Sequence, residues 1–106
     1  MKRNTQQTQP IDIGKSIRLP KKHEKEIFGV VIAELGGARM QCLCEDGRER
    51  ICRIPGRLKR KIWVKEGDIV IVKPWEVEGD KKGDIIWRYR KLEVEWLRKH
   101  KKLGFY

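Results

Sequence analysis

The clearest chemical signal in the sequence is residues 53–65, where six side chains are basic and none is acidic. Arg and Lys bind phosphate oxygens with release of counterions from a nucleic acid, so this cluster predicts a polyanionic ligand. Trp63 lies among these charges, where an indole can stack on a base with a gain of roughly 1–3 kcal/mol. Two other interpretations stay open: a solvated charged loop, or a Trp63 that packs into the core. Leu58, Ile62 and Val64 favour a loop held at both ends by apolar side chains.

Further arginines lie on the neighbouring strand-like segments. Alternation of side chains places Arg48 and Arg50 on one face of the segment that leads into the basic run, with Arg53 near its end on the other face. A later segment carries Arg88 and Arg90 on one face, which we assign to solvent or RNA. The basic patch is therefore predicted to extend beyond the run itself.

The charge of the whole chain agrees with this prediction. The 106 residues contain 26 Lys and Arg against 15 Asp and Glu, a formal net charge of +11. A surplus of this size points to a polyanionic partner. The length suits one domain, no apolar run is long enough to span a membrane, and no secretory signal pattern is visible. We therefore expect a cytoplasmic protein.

Three cysteines, Cys42, Cys44 and Cys52, form a second group that could do chemistry. Their odd number does not complete a set of intramolecular disulfides, in agreement with a reducing compartment. A metal site is one interpretation, but there is no Cys-x-x-Cys pair and the two histidines lie near opposite ends of the chain. We favour packing in the core, and we expect neither a metal nor a cofactor.

Apolar periodicity and turn signals predict the elements that position these residues. Residues 1–26 predict a flexible basic tail because they offer little apolar surface to bury. An Asp-Gly pair at residues 46–47 is a strong hairpin signal. A helix is predicted over Leu92–Lys102, and at most one helical turn in the basic connection 55–67. The predicted strands are Ile27–Leu35, Arg39–Cys44, Arg48–Ile54, Asp68–Val72 and Asp84–Arg90.

These elements predict an all-β fold, a five-stranded antiparallel OB-fold barrel with a C-terminal α-helix and a disordered basic N-terminal tail. The expected organisation is a tail over 1–26, the barrel over 27–91, and the helix with a short tail over 92–106. In the fifth strand Trp87 and Tyr89 share a face, which we assign to the core or to a helix contact. In the helix, Leu92 and Trp96, with Leu97 as a further candidate, are expected to cover one side of the barrel.

Three stretches of the sequence resemble one known family. The run EDGRERICRIPGRLKRKIWV (residues 45–64) resembles the middle of the archaeal translation initiation factor 1A family, an OB-fold of the S1/initiation-factor-one type. GDIVIV (67–72) and DIIWRY (84–89) resemble the same family in the same order and spacing. The resemblance runs from about Arg18 to Leu97, and the segment after the fifth strand favours the archaeal branch.

The resemblance implies binding to the small ribosomal subunit at the A site, in contact with the decoding region of its rRNA. It also implies stabilisation of initiator Met-tRNA binding, promotion of ribosomal subunit dissociation, and partners that include the factor-2 type GTPase. The protein is expected to be a monomer. Eukaryotic members use a long acidic C-terminal tail for the GTPase, whereas a contact here would have to use Leu103, Phe105 and Tyr106. The RNA-binding candidates by position are Arg48, Arg50, Arg53, Arg57, Lys59, Arg60, Lys61 and Trp63, with Lys65, Arg88 and Arg90 around them.

Two other classes of function compete with this one. An enzyme would need clustered carboxylates for a metal ion or a poised acid–base pair, whereas Asp46, Asp68, Asp80 and Asp84 adjoin or lie close to glycines, as is ordinary in turns. We therefore predict a protein that is not an enzyme. A general single-stranded RNA-binding OB-fold protein, such as an RNA chaperone, usually displays aromatic side chains on its second and third strands, and these strands carry none here.

Overall fold

The computed structural model describes residues 17–106, so the predicted disorder of residues 1–16 falls outside the described part of the chain. No helix in the described part is long and apolar enough to cross a membrane. Short 3₁₀ turns occupy Lys22–Glu24 and Gly56–Leu58, and the second confirms the single turn predicted in the basic connection. The main elements are β1 Ile27–Gly36, β2 Arg39–Cys44, β3 Glu49–Arg53, β4 Ile69–Pro74, β5 Lys82–Arg88 and α1 Lys91–Lys99.

The five strands close into a barrel in the order β1-β2-β3-β5-β4. All pairings are antiparallel except that of β3 with β5, which runs parallel from Ile51 opposite Lys82 to Arg53 opposite Asp84. Strand direction can alternate all the way round only in a ring with an even number of strands. A closed ring of five must therefore contain a parallel contact. The predicted OB-fold barrel is confirmed, with this correction to its purely antiparallel pairing.

The barrel interior is filled by side chains from all five strands. Alternation along β2 directs Met40, Cys42 and Cys44 inward, and Cys52 joins them from β3. The three cysteines are thus buried core residues, as predicted. This inner core consists of Val31, Met40, Cys42, Cys44, Cys52, Ile54, Val64, Val70, Val72 and Ile85.

A second apolar cluster lies outside the barrel, where β1 and β4 bury their other faces under α1. The described part of the predicted tail, residues 17–26, also packs here. Ile17 is buried, and the Tyr89 hydroxyl donates to the Arg18 carbonyl. The Arg18 guanidinium in turn pairs with the buried Glu26 carboxylate at 3.4 Å. This outer core consists of Ile17, Phe28, Val30, Ile69, Ile71, Tyr89, Leu97 and Leu103.

Strand β5 departs from simple alternation. Its pairing with β4 shifts register, so that Ile71 lies opposite Trp87 while Val72 lies opposite Ile85. Strand β5 therefore has one more residue than β4 at this point. As a result, Ile85 points into the inner core and Tyr89 into the outer one, although alternation predicts a shared face. Tyr89 is buried as predicted, whereas Trp87 is 37% exposed.

Helix α1 is shorter than predicted, and it packs on the barrel through Trp96 and Leu97 as expected but not through Leu92. Leu97 is completely buried, Trp96 packs against the outer core, and Leu92 is 62% exposed. The first turn is fixed by the Arg90 backbone N–H, which donates to Glu93 Oε1 at 2.8 Å. The helix stops at Lys99 because Lys101 adopts a left-handed backbone with φ of 57°, which directs Leu103 back to the outer core.

Substitutions on the two faces of α1 test this arrangement. Leu97→Ala should lower the free energy of unfolding by about 2–5 kcal/mol, because it opens a cavity in the outer core. The matched control, Leu92→Ala, should change it by less than about 0.5 kcal/mol, because that side chain faces solvent. Denaturant unfolding of both variants provides the measurement. Equal losses would show that the helix packs with another face.

Candidate nucleic-acid interface

The basic run forms a loop that is fixed to the barrel at both ends; we call residues 53–65 the basic loop. At its start, the Ile54 N–H donates to the Ala38 carbonyl at 3.1 Å. Just beyond its end, the Gly67 N–H donates to the Val31 carbonyl at 2.8 Å. The loop therefore lies across the end of the barrel at which β1 finishes.

Apolar side chains hold the middle of the loop against the same end of the barrel. Val64 is buried in the inner core, and Leu58 and Ile62 pack against it. The predicted apolar anchoring is therefore confirmed. An anchored loop loses less conformational entropy when it binds a ligand than a disordered one would.

The charged side chains of the loop point away from these anchors. Trp63 is 79% exposed, so the interpretation that it packs into the core is wrong, and its ring is available for stacking. The exposed cations of the loop are Arg53, Arg57, Lys59, Arg60, Lys61 and Lys65. The structure thus exposes a large apolar ring and six cations on the same loop.

Arg53 is held in place by two partners from outside the loop. Its Nε donates to Asp84 Oδ1 at 3.0 Å, and Trp75 Nε1 donates to the same oxygen at 2.9 Å. The Arg53 guanidinium also lies over the Trp75 ring, 5.0 Å from its centroid. A shared carboxylate therefore fixes a cation and an aromatic ring together, while the Arg53 side chain remains largely exposed.

A cavity of about 500 Å³ opens beside the start of the loop. Its basic lining residues come from β2, the basic loop and β5: Arg39, Arg53, Lys59 and Lys82. Trp75 also lines it. Arg39, Lys82 and Trp75 were missed by the sequence analysis. For Arg39, the signal in the sequence is strand register, because a tight β2–β3 hairpin places Arg39 opposite Arg53.

Arg50 has a different environment from the other candidates. It is only 4% exposed, and its two Nη atoms donate to the Asp46 carboxylate at 3.0 and 2.8 Å. Its Nε donates to the Gly79 carbonyl, and a Cβ at Gly79 would clash with the Trp75 carbonyl. Arg50 therefore ties the β2–β3 turn to the β4–β5 loop. The alternation of side chains along β3 was a signal that Arg50 is buried, since Arg50 lies on the same inward face as Cys52.

Hydrogen bonds from Arg50 hold the pKa of Asp46 below its usual value of 3.8, and the same contact raises the pKa of Arg50. By contrast, the Arg48 side chain is exposed and 4.0 Å from Asp46 at its nearest approach. Of the two arginines predicted to share a face, only Arg48 is accessible to a ligand in this structure.

The remaining candidates lie near Asp68 and at the start of α1. Asp68 Oδ2 accepts the Lys65 backbone N–H at 2.8 Å and Arg88 Nε at 3.2 Å, so it joins the end of the loop to β5. Arg90 is exposed at the helix start, 3.6 Å from Glu93. Arg88 thus adjoins the basic loop, and Arg90 lies beyond it on the helix side.

The three cysteines of the inner core are buried thiols with raised pKa values at Cys44 and Cys52. Burial raises the pKa of the Cys44 thiol to about 11, and the pKa of Cys52 is also raised by its neighbour Cys42 and by burial. Thiols of this kind are poor nucleophiles because little thiolate is present at neutral pH. Among residues 17–106, no three His, Cys, Asp or Glu side chains are grouped closely enough to hold a metal ion.

The contrast between the two neighbouring arginines can be measured. Arg50→Gln should lower the free energy of unfolding by about 2–3 kcal/mol at neutral pH, because it removes three hydrogen bonds of a buried guanidinium, two of them to a charged carboxylate. Arg48→Gln should change it by less than about 0.5 kcal/mol.

The effect should also depend on pH. The pKa of Asp46 is lowered by folding, so its contribution is present above the unfolded pKa of about 3.9 and is lost as the pH falls through the folded pKa. The difference between wild type and Arg50→Gln should therefore shrink below about pH 4. A difference independent of pH would show that Asp46 is not the partner that matters.

Comparison with known proteins places this geometry in a family. A family model described as translation initiation factor 1A / IF-1 matches residues 15–104. Translation initiation factor 1A from Methanococcus maripaludis (strain C7) is 53% identical over 89 residues, which is 84% of this chain and 86% of the relative. The protein of the same name from Pyrococcus abyssi (strain GE5 / Orsay) is 51% identical over 81 residues, 76% of this chain and 72% of the relative.

A solved structure agrees with these relatives. The solution structure of translation initiation factor IF-1 from the Wolbachia endosymbiont of Brugia malayi is similar, with a TM-score of 0.50 and 34% sequence identity. The similarity covers 62% of this chain and 78% of that one. The archaeal relatives match more of the chain than this barrel does, in agreement with the resemblance in the sequence. The chain belongs to the translation initiation factor 1A / IF-1 family.

Proposed function

We propose that the protein binds the small ribosomal subunit at the A site, with the basic loop against the decoding region of the rRNA. The observation that carries the proposal is the anchored loop, which presents four adjacent cations and an exposed Trp63 at one end of the barrel. Membership of the initiation factor family supports the ribosome as the partner. In this role the protein acts in the cytoplasm and is not an enzyme.

The proposed binding mechanism divides the work between charge and stacking. Phosphate contacts give affinity through release of counterions, and stacking of Trp63 on a base adds a term that depends little on salt. Arg50 contributes indirectly because it fixes the β2–β3 turn that carries Arg48. The proposed RNA-binding residues are Arg48, Arg53, Arg57, Lys59, Arg60, Lys61, Trp63, Lys65, Arg88 and Arg90.

Occupation of the A site accounts for the further steps that we propose. A folded barrel in this site excludes tRNA by its volume, which directs initiator Met-tRNA to the P site. A protein bound in the A site also favours dissociated subunits, if it covers the surface of the small subunit that the large subunit must contact. Neither step needs a chemical reaction.

The proposal includes a contact with the factor-2 type GTPase through the C-terminal residues. Of the three residues expected to make it, Leu103 is buried in the outer core and Phe105 packs against that core. Tyr106 remains exposed, with the Arg98 guanidinium 5.7 Å from its ring centroid. The proposed contact therefore centres on Tyr106.

General binding of single-stranded RNA is the alternative function. The exposed Trp63 favours it, since a stacking platform accepts any base. Strands β2 and β3 carry no aromatic side chain, which opposes it. The alternative requires similar affinities for small ribosomal subunits and for random RNA at physiological salt, whereas the proposed function requires a clear preference for the subunit.

Neutralising the loop tests the proposed function. The quadruple variant Arg57→Gln, Lys59→Gln, Arg60→Gln, Lys61→Gln should remain folded, because all four side chains are exposed. Affinity for isolated small subunits should fall steeply. The slope of log affinity against log salt should become shallower by about 0.7–0.9 for each phosphate that the variant no longer binds, hence by about three in all.

The control replaces Lys73, Lys81 and Lys91 by Gln, which removes exposed charges outside the proposed site. This triple variant should keep the rRNA footprint of the wild type. If the loop variant still protects the decoding region with an unchanged salt slope, the loop is not the binding surface.

Trp63→Ala separates stacking from charge. Affinity for the subunit should fall by an amount equivalent to roughly 1–3 kcal/mol, with little change in salt slope. The free energy of unfolding should change by less than about 0.5 kcal/mol, because the ring is exposed. A shallower salt slope, or a large loss of stability, would contradict a stacking role.

A further inference from the structure

Two basic segments that are distant in sequence come together away from the basic loop. Residues 21–25 are Lys-Lys-His-Glu-Lys and residues 98–102 are Arg-Lys-His-Lys-Lys, and every side chain in both segments is exposed. Lys22, Lys101 and Lys102 line a common cavity of about 330 Å³. We call the two segments together the lysine surface. It carries seven Lys and Arg side chains against one Glu.

The lysine surface and the basic loop lie at opposite ends of β1. The cavity of the lysine surface also contains Phe28 and Glu45, beside the first residues of that strand. The basic loop begins next to Ala38, just past the last residue of the strand. Ten extended residues span about 30 Å, so one phosphate group cannot contact both surfaces.

Neighbouring carboxylates do not neutralise the lysines of this surface. Glu45 Oε1 accepts the Phe28 backbone N–H at 2.7 Å. Glu24 pairs with His23 at 3.6 Å and with Lys73, outside the surface, at 3.8 Å. Across residues 17–106, no ion pair joins a carboxylate to a lysine of the surface. The arrangement is that of a cationic surface available to an external anion.

Backbone conformation gives a second, independent observation. Lys25 and Lys101 both have left-handed backbones, with φ of 62° and 57°. Each ends a helical turn, at a position where glycine is the favoured residue because it has no Cβ to clash. Lysine at both positions is conformationally unfavourable, and its side chain makes no ion pair within the described residues that would compensate.

The chemistry of the surface fits a phosphate backbone better than a protein. Protein interfaces have cores enriched in aromatic residues and depleted in lysine, and these two segments have no Phe, Tyr or Trp. We propose that the lysine surface binds a second stretch of RNA backbone, separate from the stretch proposed for the basic loop. The choice of RNA as ligand rests on the proposed function.

The left-handed lysines allow a test that removes charge without harming the fold. The double variant Lys25→Gly, Lys101→Gly should unfold at the same temperature as wild type or higher, because glycine suits both backbones. With isolated small ribosomal subunits as the probe, its salt slope should become shallower by about 0.7–0.9 for each phosphate that it no longer binds. A charge-matched control, Lys81→Gln with Lys91→Gln, should leave the slope unchanged, because both lysines are exposed and lie outside the lysine surface.

Hydroxyl-radical footprinting of the same complexes locates the second contact. In the complex with the glycine variant, one set of rRNA nucleotides should lose protection. The nucleotides that lose protection with the quadruple loop variant should form a different set and stay protected in this complex. An unchanged slope and footprint would overturn the inference. So would a loss of binding to polyglutamate without a loss of binding to subunits, which would assign the surface to an acidic protein. Failure of the proposed function would be seen in a different experiment, if the quadruple loop variant still gave the wild-type footprint at the decoding region.

Discussion

Burial of both faces of β1 and β4 is the constraint on which the rest of the structure depends. These strands contribute Val31, Val70 and Val72 to the barrel interior and Phe28 and Ile71 to its outside. An exposed apolar sheet face would be a site of aggregation, so the chain has to cover it. The helix and residues 17–26 are used for that purpose. With the sides of these strands covered, the unpaired positive charge lies mainly at the two ends of the barrel.

Three aspartates hold arginines in place at separate points of the barrel. Asp46, Asp68 and Asp84 each accept a hydrogen bond from an arginine and another from a backbone or indole N–H. Each therefore connects two elements and fixes the direction of one cation. In a chain with a net charge of +11, carboxylates in these positions also reduce repulsion among the arginines that they orient. Turn chemistry predicted ordinary turn aspartates at these positions, but it gave no indication that they hold arginines.

Much of the fold could be predicted because its signals are local. Alternation and the Asp-Gly turn located the strands and the inward cysteines, and the basic loop was evident from composition. The departures depend on contacts that local patterns do not encode. A single extra residue in β5 separated Ile85 from Tyr89, and Lys101 ended the helix without the glycine that usually marks such a stop. Arg50 was assigned to the RNA surface by its charge, although alternation along β3 places it on the same buried face as Cys52. The cavity at Trp75 required the register of strands that are far apart in sequence.

The position of the outer core in the chain has a consequence for synthesis. All five strands precede Leu97 and Leu103, the residues that complete this cluster. A nascent chain can therefore close its barrel while the outer faces of β1 and β4 still lack the helix that completes their cover. In that interval the intermediate leaves part of this apolar surface in solvent and is open to association with other nascent chains or to capture by a chaperone. The helix thus protects the barrel from association with other chains. Truncation before Leu97 should yield a closed barrel that is prone to aggregation rather than an unfolded chain.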